Sequence, residues 1–311
     1  MARYTVTGCA GFVGSHLAEA LLRRGDEVLG VDAFTDYYER DVKESNLAEL
    51  RDTDGFELVE ADLAEAPLEP LLDGVEGVFH LAAQPGVRGS WGDTFAIYAR
   101  DNLVATQRLF EIAARTEKRV VFASSSSVYG NAETYPTTED MRPQPVSPYG
   151  VTKLTCEHLA RVYGESFGLD VIALRYFTVY GPRQRPDMAF TRIAQALAAG
   201  GSFTVLGSGE QSRDFTYVDD AVAATLLSME RGTAGAVYNV GGGTEATLNE
   251  ILELGQKLAG RELDLHREPA AAGDVTRTAA DTSSIRADTG WEPQIPLEEG
   301  FKRHLDWAGA L

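Results

Sequence analysis

A chain of 311 residues, 44% apolar and 24% charged, is long enough to bury a large core and to form two lobes. A formal net charge of −19 excludes nucleic acid and anionic membrane as partners, favours plain solubility, and requires local positive charge wherever an anionic ligand is held. Two cysteines and five histidines, without metal-ligand spacing, exclude a disulfide scaffold and offer no metal site.

The chain opens directly on a strand, with no basic and apolar leader, and no apolar run reaches the length of a membrane span, so a cytoplasmic, reducing location is expected. The strand, Arg3 to Thr7, leads into a turn with glycines at 8, 11 and 14. Phe12, Val13, Leu17, Ala20 and Leu21 then follow helical spacing up to a second strand, Glu27 to Asp32. This pattern predicts a βαβ unit that binds a dinucleotide. Gly8 permits the tight turn, Gly11 lets backbone approach a pyrophosphate and Gly14 lets helix and strand pack closely. The helix start at Phe12 and Val13 offers free N–H groups to the anion. Asp32 is placed to accept hydrogen bonds from the adenosine ribose hydroxyls. With no Arg or Lys among Ala33, Phe34, Thr35 and Asp36 to offset its charge against a 2′-phosphate, NAD is expected over NADP.

A polar helix is expected to about Leu50, then a strand from Phe56 to Glu60. Asp62, with Leu63, sits at that strand's end, either beside the adenine amino group or as the cap of the next segment. Val75 to Leu81 reads as a strand ending in Ala82 and Ala83, small enough for a cofactor to cross. A turn-rich loop carrying Arg88 follows, then a helix from about Asp93 to Thr116. The strand from Arg119 runs into Ser124, Ser125, Ser126 and Ser127, hydroxyls that are costly at a buried strand end unless they face a polar ligand. After a proline-rich loop, Ser147 and Pro148 start a helix on which Tyr149 and Lys153, four apart, share a face. An ammonium beside a phenol favours phenolate, which makes this pair a candidate acid/base. Asp170 to Arg175 is another strand. Beyond it the alternation breaks up, with helices at Val218 to Glu230 and Leu248 to Leu258 around a strand from Ala236 to Val240. The second lobe is therefore interleaved with the first.

Together these pieces resemble the extended short-chain dehydrogenase/reductases that act on nucleotide sugars, over nearly the whole chain. The resemblance rests on the glycine turn, the serine-rich strand end before Val128-Tyr129-Gly130, the Tyr149/Lys153 pair, and Arg175 through Gly181-Pro182. It extends to Gly209 through Asp220 and to Ala272-Gly273-Asp274-Val275. Asp32 through Lys43 and Phe177 through Met188 are most similar to UDP-glucuronate 4-epimerases. The family implies an α/β fold, a Rossmann-type doubly wound parallel sheet with a smaller α/β lobe. The NAD-binding domain is expected over 1–175 and about 214–240, and the nucleotide-sugar lobe over about 176–213 and 241–311.

By the same resemblance Tyr149 is the acid/base, Lys153 orients the nicotinamide ribose, and Ser125, four before Tyr129, bonds the reacting hydroxyl. Ser126 and Ser127 stand where dehydrating and decarboxylating relatives carry acids, which leaves oxidation and re-reduction at C4 of a UDP-sugar. The expected product of UDP-glucuronate is UDP-galacturonate. Its 4-keto form is a β-keto acid, and Ser126, Ser127 and Thr178 are candidate donors that hold the carboxylate out of line with the carbonyl. Arg88 and Arg185 serve either that carboxylate or the pyrophosphate. Met188, Arg213, Asp274 and Arg277 are carried over as substrate contacts, Arg213 and Arg277 having surface charge as the alternative. A homodimer through helices at about 93–116 and 147–167 is implied as well. The rival readings are a UDP-glucose or broader UDP-hexose or pentose 4-epimerase and, from another class, a redox-sensing NAD-binding module.

Overall fold

A computed structural model describes residues 1–269 and 273–311. Seven short runs rich in Val, Ile and Leu form one sheet: β1 (Arg3–Thr7), β2 (Glu27–Asp32), β3 (Phe56–Glu60), β4 (Gly77–His80), β5 (Arg119–Ser125), β6 (Val171–Tyr176) and, later in the chain, Val237–Val240. All its pairings are parallel. The inner strands are buried on both faces because alternate side chains enter different cores. Val6, Phe79, Val121 and Ile172 pack on one side, and Val31, Val78, Val120 and Phe122 on the other. Strand order reverses between β1 and β4, so the connections after these strands splay apart and leave a crevice at their carboxyl ends.

The second lobe holds strands that periodicity did not resolve: β7 (Thr178–Tyr180), β8 (Ser202–Leu206), β9 (Ser212–Tyr217), β11 (Thr244–Thr247) and β12 (Asp264–Glu268), with β10 being the Val237–Val240 edge of the large sheet. β7, β9 and β11 form a three-stranded sheet, and β8 pairs with β12. The segment expected at 214–240 therefore divides. Its first residues belong to β9 in the small sheet, while the helix Val218–Arg231 packs beside the first helix, Phe12–Arg23, under the large one.

Three local expectations are corrected. The strand at Val75 to Leu81 is only Gly77–His80, and the polar helix after Asp32 breaks at Leu47 into Arg40–Asn46 and Ala48–Arg51. The helix from Asp93 is a 3₁₀ turn, a short α-helix and a π-helical turn, Ala99–Val104, before Ala105–Arg115. The widened turn carries Asn102, whose amide accepts from the Gln84 N–H at 2.8 Å and donates to the Thr152 hydroxyl at 3.0 Å. Ala272, part of one stretch that carried the family resemblance, lies outside the described residues.

Candidate active site

A cavity of about 480 Å³ runs along the crevice, and its wall joins the glycine turn, the serine turn and the second lobe. At one end Gly8 has φ +73°, and a Cβ there would sit 2.8 Å from the Ala82 nitrogen. Gly14 is tighter still: its Cβ would lie 2.1 Å from the Gly8 carbonyl oxygen. Gly11 caps the Phe12–Arg23 helix without a side-chain hydrogen bond, which leaves first-turn N–H groups directed at the cavity. A backbone cradle that side chains would fill, at a helix start, fits the pyrophosphate of a dinucleotide.

Asp32 accepts from the Ala10 N–H at 3.0 Å and the Phe34 N–H at 2.9 Å. Burial pushes its carboxyl up, opposed by the Phe34 N–H and by the charge of Lys43. Lys43 is the residue that inspection of positions 33–36 missed. It is 4% exposed, lines the cavity and donates to the Thr35 carbonyl at 2.5 Å. A lysine in a polar helix gives no signal of which way it turns. With Lys43 at hand, Asp32 is what repels a 2′-phosphate, so Asp32→Ala is expected to shift the NADP-to-NAD affinity ratio by about tenfold or more toward NADP. Titrating both cofactors against the variant checks this, and an unchanged ratio refutes it.

Leu63, Ala82 and Ala83 line the same end, as does Asp62. The capping alternative describes the Asp62 side chain, which accepts from the Ala64 N–H at 2.8 Å and is ion-paired with Arg100.

At the centre, β5 ends in Ser125, whose hydroxyl accepts from the Ser127 N–H at 3.1 Å and so turns Ser126 and Ser127 into the cavity. The Ser147 hydroxyl accepts from the Gly150 N–H at 3.1 Å, and Pro148 begins the helix Pro148–Phe167. That helix presents Tyr149 and Lys153 side by side. The Lys153 ammonium donates to the Ala123 carbonyl at 2.8 Å and lies 6.0 Å from the centroid of the Tyr149 ring.

The expected lysine-lowered phenol is corrected here. Burial pushes Tyr149 up, and the opposing influences are the Ser125 hydroxyl and the Arg185 charge. Burial also brings Lys153 down to about 8. A desolvated phenol and an ammonium bonded elsewhere do not by themselves make a phenolate.

On the far side Ser126, Ser127, Thr178, Arg185, Met188, Arg213 and Asp274 share the wall. Arg185 is bonded to Asp187 through Nε and Nη2, both at 3.0 Å. Arg88 stands outside this cavity, in the wall of an adjoining one of about 390 Å³, and reaches Asp274 at 2.7 Å. Phe203, Thr204 and Leu206 of β8 and Leu248 also line that second cavity. The β8 residues gave no signal because β8 carries no pattern of its own, and Leu248 was read only as the start of a helix.

Arg277 is not brought to either wall. It pairs with Glu245 at 2.7 Å and lies over the Tyr135 ring, the surface alternative. Among the described residues no three His, Cys, Asp or Glu side chains are grouped to hold a metal, and no helix is long and apolar enough to cross a membrane.

Residues 4–241 match the NAD dependent epimerase/dehydratase family. The chain is 41% identical to a protein named an uncharacterized UDP-glucose epimerase, YtcB, of Bacillus subtilis (strain 168), over 98% of each. It is 36% identical to the UDP-glucuronate 4-epimerase of Thermodesulfobacterium geofontis (strain OPF15), over 99% of this chain and 96% of the relative. In structure it superposes with a TM-score of 0.95, at 38% identity and 98% coverage of both chains, on UDP-glucuronic acid 4-epimerase from Bacillus cereus in complex with UDP-glucuronic acid and NAD.

Proposed function

Since the chain belongs to the NAD dependent epimerase/dehydratase family, we propose that it is an isomerase that inverts C4 of a UDP-sugar with NAD as its cofactor, and that UDP-glucuronate is the sugar, giving UDP-galacturonate. One observation carries the reading: a single cavity joins the glycine turn to Ser125, Tyr149 and Lys153, and these to the hydroxyls of Ser126, Ser127 and Thr178 and the guanidinium of Arg185.

NAD, which the glycine turn, Asp32 and Lys153 would hold, would supply the acceptor and donor of the C4 hydride. Tyr149 takes the proton of the C4 hydroxyl, with Ser125 bonded to the same oxygen, and gives it back after the 4-keto sugar has turned over about its pyrophosphate. Lys153 orients the nicotinamide ribose. Arg213, with the Arg88–Asp274 pair at the mouth, holds the UDP portion, and the apolar wall of Phe203 and Leu248 suits its base. Arg277, paired with Glu245, is left out of that set. A firmly held nucleotide with a loosely held sugar is the differential binding that inversion needs.

Ser126, Ser127 and Thr178 donate to the uronate carboxylate and keep its bond to C5 out of line with the C4 carbonyl, which suppresses loss of carbon dioxide. Thr178→Ala or Ser127→Ala is expected to raise the decarboxylated fraction of product about tenfold. Chromatography of the nucleotide sugars formed from UDP-glucuronate reads this, and an unchanged product mixture counts against it.

A neutral UDP-hexose is the second reading. Arg185 already has a carboxylate partner in Asp187, so the cavity does not depend on a sugar carboxylate for charge balance. Relative turnover of UDP-glucuronate and UDP-glucose by the purified protein separates the two.

We further propose a homodimer formed through the faces that expose Phe95, Ile97, Val104, Val151 and Val162. A cytoplasmic, reducing location suits the two free thiols, Cys9 and Cys156.

A further inference from the structure

We propose that Asp187 sets the sugar selectivity of the site: by cancelling the charge of Arg185 it admits a neutral UDP-hexose beside a UDP-uronate. Asp187 lies on the loop 181–188, after β7, and accepts from Arg185 in a fork. Nε donates to Oδ1 and Nη2 to Oδ2, both at 3.0 Å. The Tyr37 hydroxyl, from the loop after β2, donates to Oδ2 at 3.3 Å, and the guanidinium lies 5.5 Å from the centroid of the Tyr37 ring. Tyr37 is itself wedged against Gly86, where a Cβ would come within 2.5 Å of its hydroxyl. Nε and Nη2 are thus committed within the protein, while Nη1 has no hydrogen-bond partner among the described residues.

The pair contributes charge and not the shape of the loop. Other bonds fix that shape: His16 Nε2 donates to the Pro182 carbonyl at 2.9 Å, and Arg183 is ion-paired with Glu19 at 2.6 Å. The Gln184 carboxamide donates to the Val179 carbonyl at 2.9 Å and accepts from the Thr191 N–H at 3.2 Å. The Asp187 side chain is 46% exposed, so an isosteric change there disturbs little packing. Although burial pushes its carboxyl up, the bonds and charge of Arg185 outweigh this and hold it below its ordinary value, so it is an anion at neutral pH.

Arg185 shares the main cavity with Tyr149 and Thr178. Its charge already reaches the Tyr149 phenol, where burial and the Ser125 hydroxyl act more strongly. A carboxylate on C5 of a sugar stands beside the C4 oxygen, so the same charge reaches it. With Asp187 ionised, a uronate meets a cation already neutralised, and a neutral hexose leaves no unpaired charge beneath it, which would be costly. Asp187 is a positioning residue, acting on the sugar through Arg185.

The proposal rests on the reading of this cavity as a UDP-sugar site. Its test is the ratio of affinities for UDP-glucuronate and UDP-glucose, titrated calorimetrically into NAD-loaded Tyr149→Phe protein, where turnover is removed. Asp187→Asn, which frees the cation, is expected to raise that ratio about tenfold in favour of the uronate, and Arg185→Gln, which frees the anion, to lower it about tenfold. The double variant Arg185→Gln/Asp187→Asn strands neither charge and is expected to return toward the parent ratio. Should Asp187→Asn fold poorly, Asp187→Ser removes the same charge and is expected to give the same rise. Lost packing, or an Arg185 that serves the pyrophosphate, would change both affinities together; an unmoved ratio in the Asp187 variants overturns the proposal. A double variant that keeps the raised ratio overturns it as well, because Asp187 would then not act through Arg185. Turnover of the parent holoenzyme separates the two failures. No epimerisation of either sugar beside a ratio that follows the charge sinks only the catalytic reading, whereas epimerisation beside an unmoved ratio sinks only the role of Asp187. If neither nucleotide binds, both fall.

Discussion

Tyr149→Phe is expected to lower turnover about a thousand-fold while the protein stays folded and keeps its affinity for NAD. The substitution removes one hydroxyl from a ring that packs edge-on against Tyr98, with centroids 6.3 Å apart, so the packing of the helix Pro148–Phe167 is retained. On the proposed reading, what disappears is the group that exchanges a proton with the C4 oxygen. Ser125 remains beside it, but an aliphatic hydroxyl does not carry the charge that a phenolate does. Such a loss falls on an interaction made in the transition state, so kcat drops while KM changes little. Because burial raises the parent phenol, activity should also rise with pH on the acid side, and that limb should be missing in the variant. Initial rates with the UDP-sugar, together with NAD titration, decide the matter: a variant as fast as the parent refutes the assignment.

Gly14→Ala should weaken cofactor binding more than any charge change in the adenosine pocket. The added Cβ would stand 2.1 Å from the Gly8 oxygen, 2.8 Å from the Gly8 carbonyl carbon and 3.0 Å from the Cys9 Cα. All three are backbone atoms, and no rotamer relieves the contact. The Phe12–Arg23 helix must back away from the turn, which costs about 1–3 kcal/mol of stability and carries the first-turn N–H groups away from the pyrophosphate. Affinity for NAD should fall about a hundred-fold, measured by titration alongside a thermal melt. Gly25→Ala is the matched control. Gly25 has φ +83° with no atom within 4 Å of a Cβ, so it should lose about 1 kcal/mol of stability and none of its cofactor affinity. Equal affinity in the two variants would mean that close approach at Gly14 is not what forms the cradle.

Much of this site is local in origin and therefore legible. The glycine turn, its helix and the acid at the end of β2 lie within one short stretch, where backbone freedom, helical spacing and strand alternation are properties of neighbouring residues. The same holds for Tyr149 and Lys153, whose shared face follows from helical pitch once Ser147 and Pro148 set where the helix begins. Elements buried by both cores were read to within a residue or two, whereas the strands of the second lobe, short and only partly buried, left no period to detect.

Chain pattern alone thus determined a parallel sheet with a dinucleotide cradle at its crevice and a phenol and an amine on one helix face. Tertiary structure decided which charges meet. Arg88 finds Asp274 across 186 residues, Lys43 turns into the cavity wall to reach the Thr35 carbonyl, and Arg277 is drawn off to Glu245. It also decided that Tyr149 is held above its ordinary pKa and that Glu157 and Arg175 are enclosed behind the serine turn. The reason is one of range: periodicity and turn chemistry act between near neighbours, while the partner of a long charged side chain and the desolvation of a phenol depend on everything folded around them.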